Sequence, residues 1–377
     1  MSVVVSRITR SDTETQCRTQ ALIEAAAARY EISYEVKGSA IADDANAWLA
    51  ASLFPAMKLG ETLRLEGLLD NQLLQGASRL QDIFHVWYPD LRKVSIESRL
   101  SDSSKKERPI ATHAVGCFFS GGVDSFYSIL KHKEEITHLL FIHGFDIRLD
   151  DQKIYQASLK AVHEVAEALG KEVIEIRTNL RDFGDRYVKW GEHYFGAALA
   201  STALLLSCQL KKVYLPSSHT YEHLHPWGSH PLLDPLWSTE TMEIVHDGCE
   251  ASRIEKIAQI ASYDMVRKSL RVCWLNWDRA YNCGRCEKCL RTMTSLRALG
   301  VSDMPTFNRA LDLSLVSRLD GSNPTTRIFI QENLKAAEES NDVSLAKALR
   351  KALNGRYSRI VRNGSERILR KLRPLFK

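Results

Sequence analysis

The stretch FFSGGVDSFYSIL, residues 118–130, decides how the rest of the chain is interpreted. A serine- and glycine-rich loop stands there between the apolar run AVGCFF and the start of an amphipathic segment. At a corner between a strand and a helix, backbone N–H groups and the helix dipole favour a bound anion, and glycine lets the backbone approach it closely. The stretch therefore predicts a strand, an anion-binding loop and a helix. The loop residues are Ser120, Gly121, Gly122, Val123, Asp124 and Ser125.

The composition is that of a globular chain of two to three domains, with 377 residues, 44% hydrophobic and 26% charged. No stretch approaches the ~18 consecutive apolar residues of a membrane span. The N-terminal segment becomes polar too soon for a signal peptide, so the expected location is the cytoplasm. Eight cysteines in that compartment do not predict a disulfide framework, and a close group of them indicates metal binding or catalysis.

Residues 1–105 predict a small N-terminal α+β domain. Its expected strands lie in YEISYEV, ETLRLEG and KVSIESR, and its expected helices lie around residues 44–57 and 70–85. The polar segment 101–109, which ends in proline, is typical of a linker.

Apolar runs and amphipathic segments alternate after His113. Residues 153–170 show helical spacing of apolar side chains and end at Gly170, a typical C-terminal cap. Buried strands joined by such helices predict an α/β fold with a doubly wound parallel sheet, whose ligands bind at the C-terminal ends of the strands. This nucleotide-binding domain is expected to span residues 110–303, followed by a helical basic extension over 304–377.

The pattern Ser-Gly-Gly-x-Asp-Ser is suited to pyrophosphate. Ser120 and Ser125 can donate hydroxyl hydrogen bonds to phosphate oxygens, and Asp124 can orient the loop or hold Mg²⁺. The loop lacks the Gly-Lys-Ser/Thr of a Walker A motif and the spaced glycines of a dinucleotide fingerprint. In its position after a strand it resembles the PP-loop ATP pyrophosphatases. That resemblance implies an adenine nucleotide alpha-hydrolase-like fold, ATP and Mg²⁺ as cofactors, and Ser120, Asp124 and Ser125 as catalytic residues.

The same resemblance implies that the adenine lies near the end of the next strand, LLFIHGFD. His143, Gly144, Phe145 and Asp146 are then candidates for the nucleotide-binding wall. Core packing is the alternative for Phe145, and capping of a turn is the alternative for Asp146.

Four cysteines fall within seventeen residues, in the segment CWLNWDRAYNCGRCEKC at 273–289. Thiolates spaced in this way can converge on one ion, and four of them form the closed tetrahedral shell of a structural Zn²⁺ site. An iron–sulfur cluster and a set of free buried thiols are the alternatives. The predicted ligands are Cys273, Cys283, Cys286 and Cys289, whereas Cys17, Cys117, Cys208 and Cys249 are expected to be small buried residues.

The phosphate loop followed by one cysteine and then Cys-x2-Cys-x2-Cys resembles the 7-cyano-7-deazaguanine synthase family over about residues 110–300, including HPLLDPL at 230–236. The resemblance implies that a carboxylate or carbonyl, small-molecule or protein-borne, is adenylated with release of pyrophosphate. Ammonia or an amine then gives an amide or a nitrile. An RNA-thiolating enzyme of the superfamily and a catalytically silent nucleotide-binding subunit are the alternatives. The sequence leaves the acceptor and self-association into a homo-oligomer open.

The segment SSHTYEHLHPWGSH at 217–230 is expected to face the nucleotide from a strand end. It differs from the tyrosine-, aspartate- and arginine-containing pattern of the deazapurine family, so the substrate is not assigned. Four of the twelve histidines lie in it, suited to substrate hydrogen bonding and acid–base chemistry, with ordinary loop polarity as the alternative. The predicted substrate residues are Ser217, Ser218, His219, His223 and His225, with Tyr221, Glu222, Trp227 and His230 beside them.

The C-terminal residues 345–377 contain eleven lysines and arginines and one acid, Glu366. Within them, residues 357–376 show a basic amphipathic pattern. Such a segment packs on the body of its own protein, lies on an anionic membrane or contacts RNA.

Overall fold

A computed structural model of the chain describes residues 2–42, 44–100 and 114–354. The chain forms two compact units, Met1–Ala251 and Ser252–Lys377. The predicted linker at 101–109 and the basic amphipathic segment at 357–376 lie outside the described residues.

A ten-stranded sheet is the frame of the first unit, with the order β10-β9-β6-β7-β8-β3-β2-β1-β4-β5. Its strands are β1 Ser2–Asp12, β2 Gln16–Ala25, β3 Ala28–Lys37, β4 Thr62–Leu69, β5 Ile96–Leu100, β6 Ala114–Phe118, β7 His138–His143, β8 Glu172–Thr178, β9 Leu210–Pro216 and β10 Glu243–Asp247. The run from β10 to β8 is parallel throughout. The prediction of an α/β fold is confirmed at this level, with a large and mostly parallel sheet.

The N-terminal strands continue this sheet. β3 pairs antiparallel with β8, with Tyr34 opposite Thr178 and Val36 opposite Ile176. β1, β2 and β3 form an antiparallel meander, and β4 and β5 lie parallel to β1. One sheet thus runs through both sides of the proposed boundary near residue 105, and that boundary and the one at 303 remain predictions.

Side-chain patterns account for the two kinds of strand. In β3, Ile32, Tyr34 and Val36 are buried and alternate with more exposed neighbours, as in a strand with one face toward the core. β6 is buried along nearly its whole length because helices cover both faces of a parallel sheet. A Cβ at Gly116 would lie 2.9 Å from a methyl carbon of Leu210, so the absence of a side chain lets the adjacent strand's leucine fill that space.

The helices of the first unit are α1 Asn46–Leu59, α2 Asn71–Trp87, α3 Val123–Lys131, α4 Gln152–Leu169, α5 Leu180–Tyr187 and α6 Phe195–Leu205. The carboxylate of Asp70 accepts hydrogen bonds from the backbone N–H groups of Gln72 and Leu73 and so caps α2. α4 ends at Gly170, whose φ of 64° is left-handed. The predicted helices at 44–57, 70–85 and 153–170 are therefore confirmed to within a few residues.

The second unit is helical over its described part. Its helices are α7 Arg253–Ile260, α8 Asp264–Ser269, α9 Glu287–Ala298, α10 Leu313–Val316, α11 Pro324–Glu339 and α12 Val343–Asn354. Their shared core includes Leu290, Val316, Ile330, Leu345 and Leu349. Among the described helices, none combines the length and the apolarity that crossing a membrane requires.

Candidate functional site

The glycine loop lies where the order of the parallel strands reverses. From β6 the chain builds β7 and β8 on one side, and then returns to place β9 and β10 on the other. The carboxyl ends of β6 and β9 therefore flank a crevice, the usual place for a ligand in an open α/β sheet. We call this place the crevice. The predicted strand, loop and helix of residues 118–130 are confirmed as β6, the loop and α3.

The loop presents backbone donors at the start of α3. Gly121 has a left-handed φ of 76°, a conformation that a residue with a Cβ adopts only with strain. Gly122 occupies the N-cap position, and no side chain caps the first turn. The hydroxyl of Ser125 donates to the carbonyl oxygen of Gly122 at 3.0 Å and holds the loop against the helix. Uncapped N–H groups at a helix N-terminus can bind the oxygens of an anion.

A hydrogen bond joins the two sides of the crevice. The hydroxyl of Ser218, which follows β9, donates to Oδ2 of Asp124 in the first turn of α3 at 3.2 Å. The backbone N–H of Ser217 donates to the carbonyl oxygen of Asp247 at the end of β10, at 2.7 Å. The glycine loop and the predicted substrate loop thus meet through Asp124 and Ser218, which are ninety-four residues apart in the sequence.

Asp247 attaches α3 to the end of β10. Its carboxylate accepts hydrogen bonds from the hydroxyl of Ser128 at 2.6 Å and from Nζ of Lys131 at 2.8 Å, and it contacts Nε2 of His132 at 2.9 Å. Burial opposes ionisation of this carboxyl, but the hydrogen bonds from Lys131, Ser128 and His132 outweigh burial and lower its pKa. Asp247 was not predicted as a site residue, because its partners lie in and directly after a helix more than a hundred residues earlier.

The substrate loop folds so that several of its rings meet. The ring centroids of His219 and His225 are 4.5 Å apart, and Trp227 lies 5.7 Å from His225. His223 is held by Thr220, whose hydroxyl lies 3.0 Å from Nδ1. Tyr221 begins a short 3₁₀ turn and is mostly exposed.

A small cavity lies beneath this loop. Its polar lining comes from Ser217, Ser218, His219, His225, Ser229, His230 and His246. His246, on β10, was not predicted as a site residue. Its Nδ1 lies 2.7 Å from Oδ2 of Asp234, a carboxylate with no solvent exposure. Asp234 also accepts a hydrogen bond from the hydroxyl of Ser229 at 2.6 Å, so its charge is compensated within the fold.

Two of the four histidines at this cavity, His230 and His246, differ in protonation state. Burial opposes a charge on His246, but hydrogen bonding to Asp234 outweighs it and raises the pKa to about 9, with a further contribution from the nearby thiol of Cys249. Burial lowers the pKa of His230 to about 4, and the charge of His246 adds to this effect. At neutral pH an imidazolium and a neutral imidazole therefore line one cavity, as in sites that separate acid and base roles.

The predicted nucleotide wall lies at the end of β7, next to β6. The ring of His143 is buried and stacks on Tyr155 at 4.0 Å, and Phe145 packs against Trp190 at 4.9 Å. A Cβ at Gly144 would lie 1.8 Å from the carbonyl oxygen of Thr178, so only glycine fits there. The side chains of His143 and Phe145 are thus part of the interior packing, and the role of this segment in nucleotide binding remains a prediction.

The four predicted cysteine ligands converge in the second unit. Their sulfur atoms all lie within 4.8 Å of one another, and all four residues are buried. Sγ of Cys283 is 3.9 Å from that of Cys289, and Sγ of Cys286 is 3.9 Å from that of Cys273. A tetrahedron with Zn–S bonds of about 2.3 Å has edges of about 3.8 Å. The geometry fits one ion bound by all four sulfurs, and the cluster can bind zinc.

Backbone and side-chain contacts hold this cluster in place. The backbone N–H of Cys286 donates to Sγ of Cys283 at 3.3 Å, across a turn made by Gly284 with a φ of 66°. The buried Asn282 accepts from the N–H of Cys273 at 3.2 Å and donates to the carbonyl oxygen of Leu270 at 2.9 Å. Cys286 is also the N-cap of α9, so the site and the helix share one boundary.

No family model, curated protein or solved structure matches this chain. The fold and the sites therefore define its class by themselves. It is an α/β protein with a polar crevice at the reversal of its parallel strands, and it has a second, helical unit with a buried four-cysteine cluster that can bind a metal ion.

Proposed function

We propose that this chain is an ATP-dependent adenylating enzyme that activates a carboxylate or carbonyl, releases pyrophosphate and forms a carbon–nitrogen bond. The hydrogen bond between Asp124 and Ser218 carries the proposal. It places a loop suited to pyrophosphate and a loop suited to a polar substrate on opposite sides of one crevice. An α-phosphorus between them would be within reach of a substrate oxygen.

The residues have separate roles in this reaction. The N–H groups of residues 120–123 and the hydroxyl of Ser120 would bind the β- and γ-phosphates, where the helix dipole stabilises their charge. Asp124 would hold magnesium, which neutralises charge on the leaving pyrophosphate. Ser218 would orient Asp124, and the contacts of Asp247 with α3 would keep the donors aligned as the phosphorus–oxygen bond breaks.

The second half of the reaction needs a nitrogen nucleophile at the activated carbon. The rings of the substrate loop and the cavity below it lie on the β9 side of the crevice, where such a carbon would be placed. Protonated His246 and neutral His230 supply an acid and a neutral hydrogen-bonding group there. The four-cysteine site has no open coordination position, so we assign it a structural role.

Exchange of labelled pyrophosphate into ATP tests the first half-reaction. The full-length protein is incubated with ATP, Mg²⁺ and a fractionated extract of small molecules, and the labelled nucleotides are separated. We expect AMP and pyrophosphate as products, exchange that depends on one extract fraction, and at least a hundredfold loss in Asp124→Asn. Asp182→Asn is the matched control, because Asp182 is also an acid in the first turn of a helix, α5.

Three results would contradict the proposal. Formation of ADP and phosphate would indicate a kinase-like or ATPase reaction. Nucleotide binding without exchange in any fraction would indicate a silent nucleotide-binding subunit. Equal activity in Asp124→Asn and Asp182→Asn would remove the phosphate loop from the reaction.

A further inference from the structure

Three side chains, those of Asp234, His246 and Cys249, lie close to the crevice. Oδ2 of Asp234 lies 2.7 Å from Nδ1 of His246, and the thiol of Cys249 donates to the hydroxyl oxygen of Ser217 at 3.3 Å. Ser217 and His246 line the same cavity. Gly248, with a left-handed φ of 98°, turns the chain between His246 and Cys249. The imidazole of His246 therefore lines the cavity, Asp234 contacts it through that imidazole, and Cys249 contacts the cavity wall through Ser217.

The free nitrogen of this imidazole is unsatisfied. The side chain of His246 is 3% exposed, and its Nε2 has no hydrogen-bond partner among the described residues. Cys249 is 2% exposed and close enough to affect the protonation of His246, although its geometry falls short of a hydrogen bond to Nε2. Buried polar atoms normally have partners. An unsatisfied ring nitrogen at a cavity, on an imidazole that contacts a carboxylate and lies near a thiol, indicates a reacting group.

Asp234, His246 and Cys249 do not have the geometry of a metal site. Within the part of the chain that the structure describes, the group whose ligand atoms converge within 4.8 Å is the four-cysteine cluster of the second unit. Asp234, His246 and Cys249 do not converge in this way. A carboxylate hydrogen-bonded to an imidazole that lies near a thiol is instead the arrangement that activates a cysteine nucleophile, whose contacts are often long before substrate binds.

We propose that Asp234, His246 and Cys249 form a nucleophilic triad, and that Cys249 receives the activated acyl group before the nitrogen nucleophile takes it. This proposal rests on the adenylation proposed above. Cys249 touches the reacting carbon, His246 stabilises charge on the sulfur, and Asp234 positions His246. The ligand class is an acyl-adenylate.

The acyl group is transferred in two steps, first to Cys249 and then to the nitrogen nucleophile. The thiol proton is released to solvent, the sulfur forms a bond to the acyl carbon, and the bond between that carbon and the AMP oxygen breaks. The amine or ammonia nitrogen then bonds to the thioester carbon, and the carbon–sulfur bond breaks. The thiolate leaves paired with the His246 imidazolium, and the proton lost by the nitrogen goes to solvent. No oxidant or reductant is required.

Alkylation by iodoacetamide tests the triad without ATP or substrate. The folded full-length protein is treated at neutral pH, and modification of each cysteine is followed by peptide mass spectrometry. Cys117 is the internal control, because it is equally buried and burial raises the pKa of its thiol. We expect Cys249 to react at least tenfold faster than Cys117, and at least tenfold slower in His246→Gln and in Asp234→Asn than in the wild type. Equal rates for Cys249 and Cys117 in the wild type would overturn the proposal even if both variants fail to fold.

A second measurement separates this proposal from the adenylation on which it rests. In Cys249→Ala, the rate of amide or nitrile formation should fall at least ten times more than the rate of pyrophosphate exchange. A hydroxylamine-sensitive mass increase on Cys249 should appear in the wild type with ATP and the active extract fraction. Equal loss of both rates, or full product formation without Cys249, would overturn the triad. Absence of pyrophosphate exchange in the wild type would overturn the adenylation itself. The rates at which iodoacetamide alkylates Cys249 would still test the triad in that case.

Discussion

The crevice and the four-cysteine cluster are built in opposite ways. All four cysteine ligands come from one stretch of seventeen residues, and their sulfurs converge to within 4.8 Å. The crevice combines the loop after β6, the loop after β9 and the end of β10, and Asp124 meets Ser218 across ninety-four residues. One site is closed and local, whereas the other is open and assembled by the sheet.

This difference between a local and an assembled site indicates which interactions stabilise each of them. A metal bound by four thiolates supplies folding energy directly to the segment that holds it. The crevice depends on buried charged contacts between distant segments, such as those of Asp247 and of Asp234 with His246. Substitutions in the cluster should therefore unfold its module, and substitutions in the crevice should give graded losses.

The largest effect is expected from Cys286→Ser, which removes one of four ligands. Loss of the ion should destabilise the second unit by on the order of 10 kcal/mol, because structural zinc sites contribute about that much to folding. Elemental analysis should give one zinc per chain in the wild type and little in the variant, and circular dichroism should show loss of helix. Cys208→Ser is the control, since Cys208 lies outside the cluster. Stoichiometric iron in the wild type, or a metal-free variant that stays folded, would contradict the assignment of a structural zinc site.

A smaller loss, about 3 to 5 kcal/mol, is expected from Asp247→Asn, because Ser128 and Lys131 then lose a buried anionic partner. The folded-state pKa of Asp247 is lowered, so its contribution is present above the ordinary value of 3.8 and declines as the pH falls below it. Urea unfolding should therefore show a larger gap between wild type and variant at pH 7 than at pH 3. Asp185→Asn, in an exposed pair with Arg181, should cost less than about 1 kcal/mol. A similar cost for both variants would contradict the assembled nature of the crevice.

His246→Gln should cost about 3 kcal/mol in a pH-dependent way. The folded-state pKa of about 9 lies above the ordinary value of 6.5, so the stabilisation is complete below pH 6.5 and is lost as the pH rises through 9. Urea unfolding at pH 6, 7.5 and 9.5 should show the variant approaching the wild type at the highest pH. If the difference in free energy of unfolding between the wild type and the variant does not change with pH, His246 and Asp234 do not form an ion pair.

The smallest effect, about 1 kcal/mol, is expected from Ser252→Ala. The hydroxyl of Ser252 accepts from the N–H of Glu255, whose carboxylate accepts from the N–H of Ser252, so the two residues form a capping box at the start of α7. The zinc content should stay at one per chain, because the cap lies outside the cluster. Loss of zinc in this variant would show that the metal site depends on distant parts of the unit and would weaken the contrast with the crevice.

Local patterns predicted much of this molecule. Helical spacing and Gly170 located α4, and alternation located β3, because both signals arise between residues a few positions apart. The spacing of Cys283, Cys286 and Cys289 predicted a metal site for the same reason. The glycine loop between β6 and α3 was also recognisable from a single short stretch.

Cys17, Cys117, Cys208 and Cys249 were predicted to be small buried residues, and this is confirmed for Cys117 and Cys249, whereas Cys17 and Cys208 are partly exposed. The neighbours of Cys249, however, could not be anticipated from the chain. Asp234 lies in a 3₁₀ turn and His246 on β10, so two residues twelve positions apart in different elements bring their side-chain atoms to 2.7 Å. The opposite holds for His143 and Phe145. The sequence indicated them as candidates for nucleotide binding, but their side chains pack in the interior.

The sequence by itself determined several strands and helices, the close grouping of four cysteines and the position of the glycine loop at the start of a helix, because each depends on residues close together in the chain. Only the tertiary structure decided that β3 pairs with β8 and joins all ten strands in one sheet, that Asp247 holds α3, and that Asp234 charges His246 beside Cys249. The physical reason is that strand pairing and buried ion pairs gain their energy between segments far apart in the chain. The spacing of residues close together in the chain does not predict which distant strand or charged residue becomes the partner.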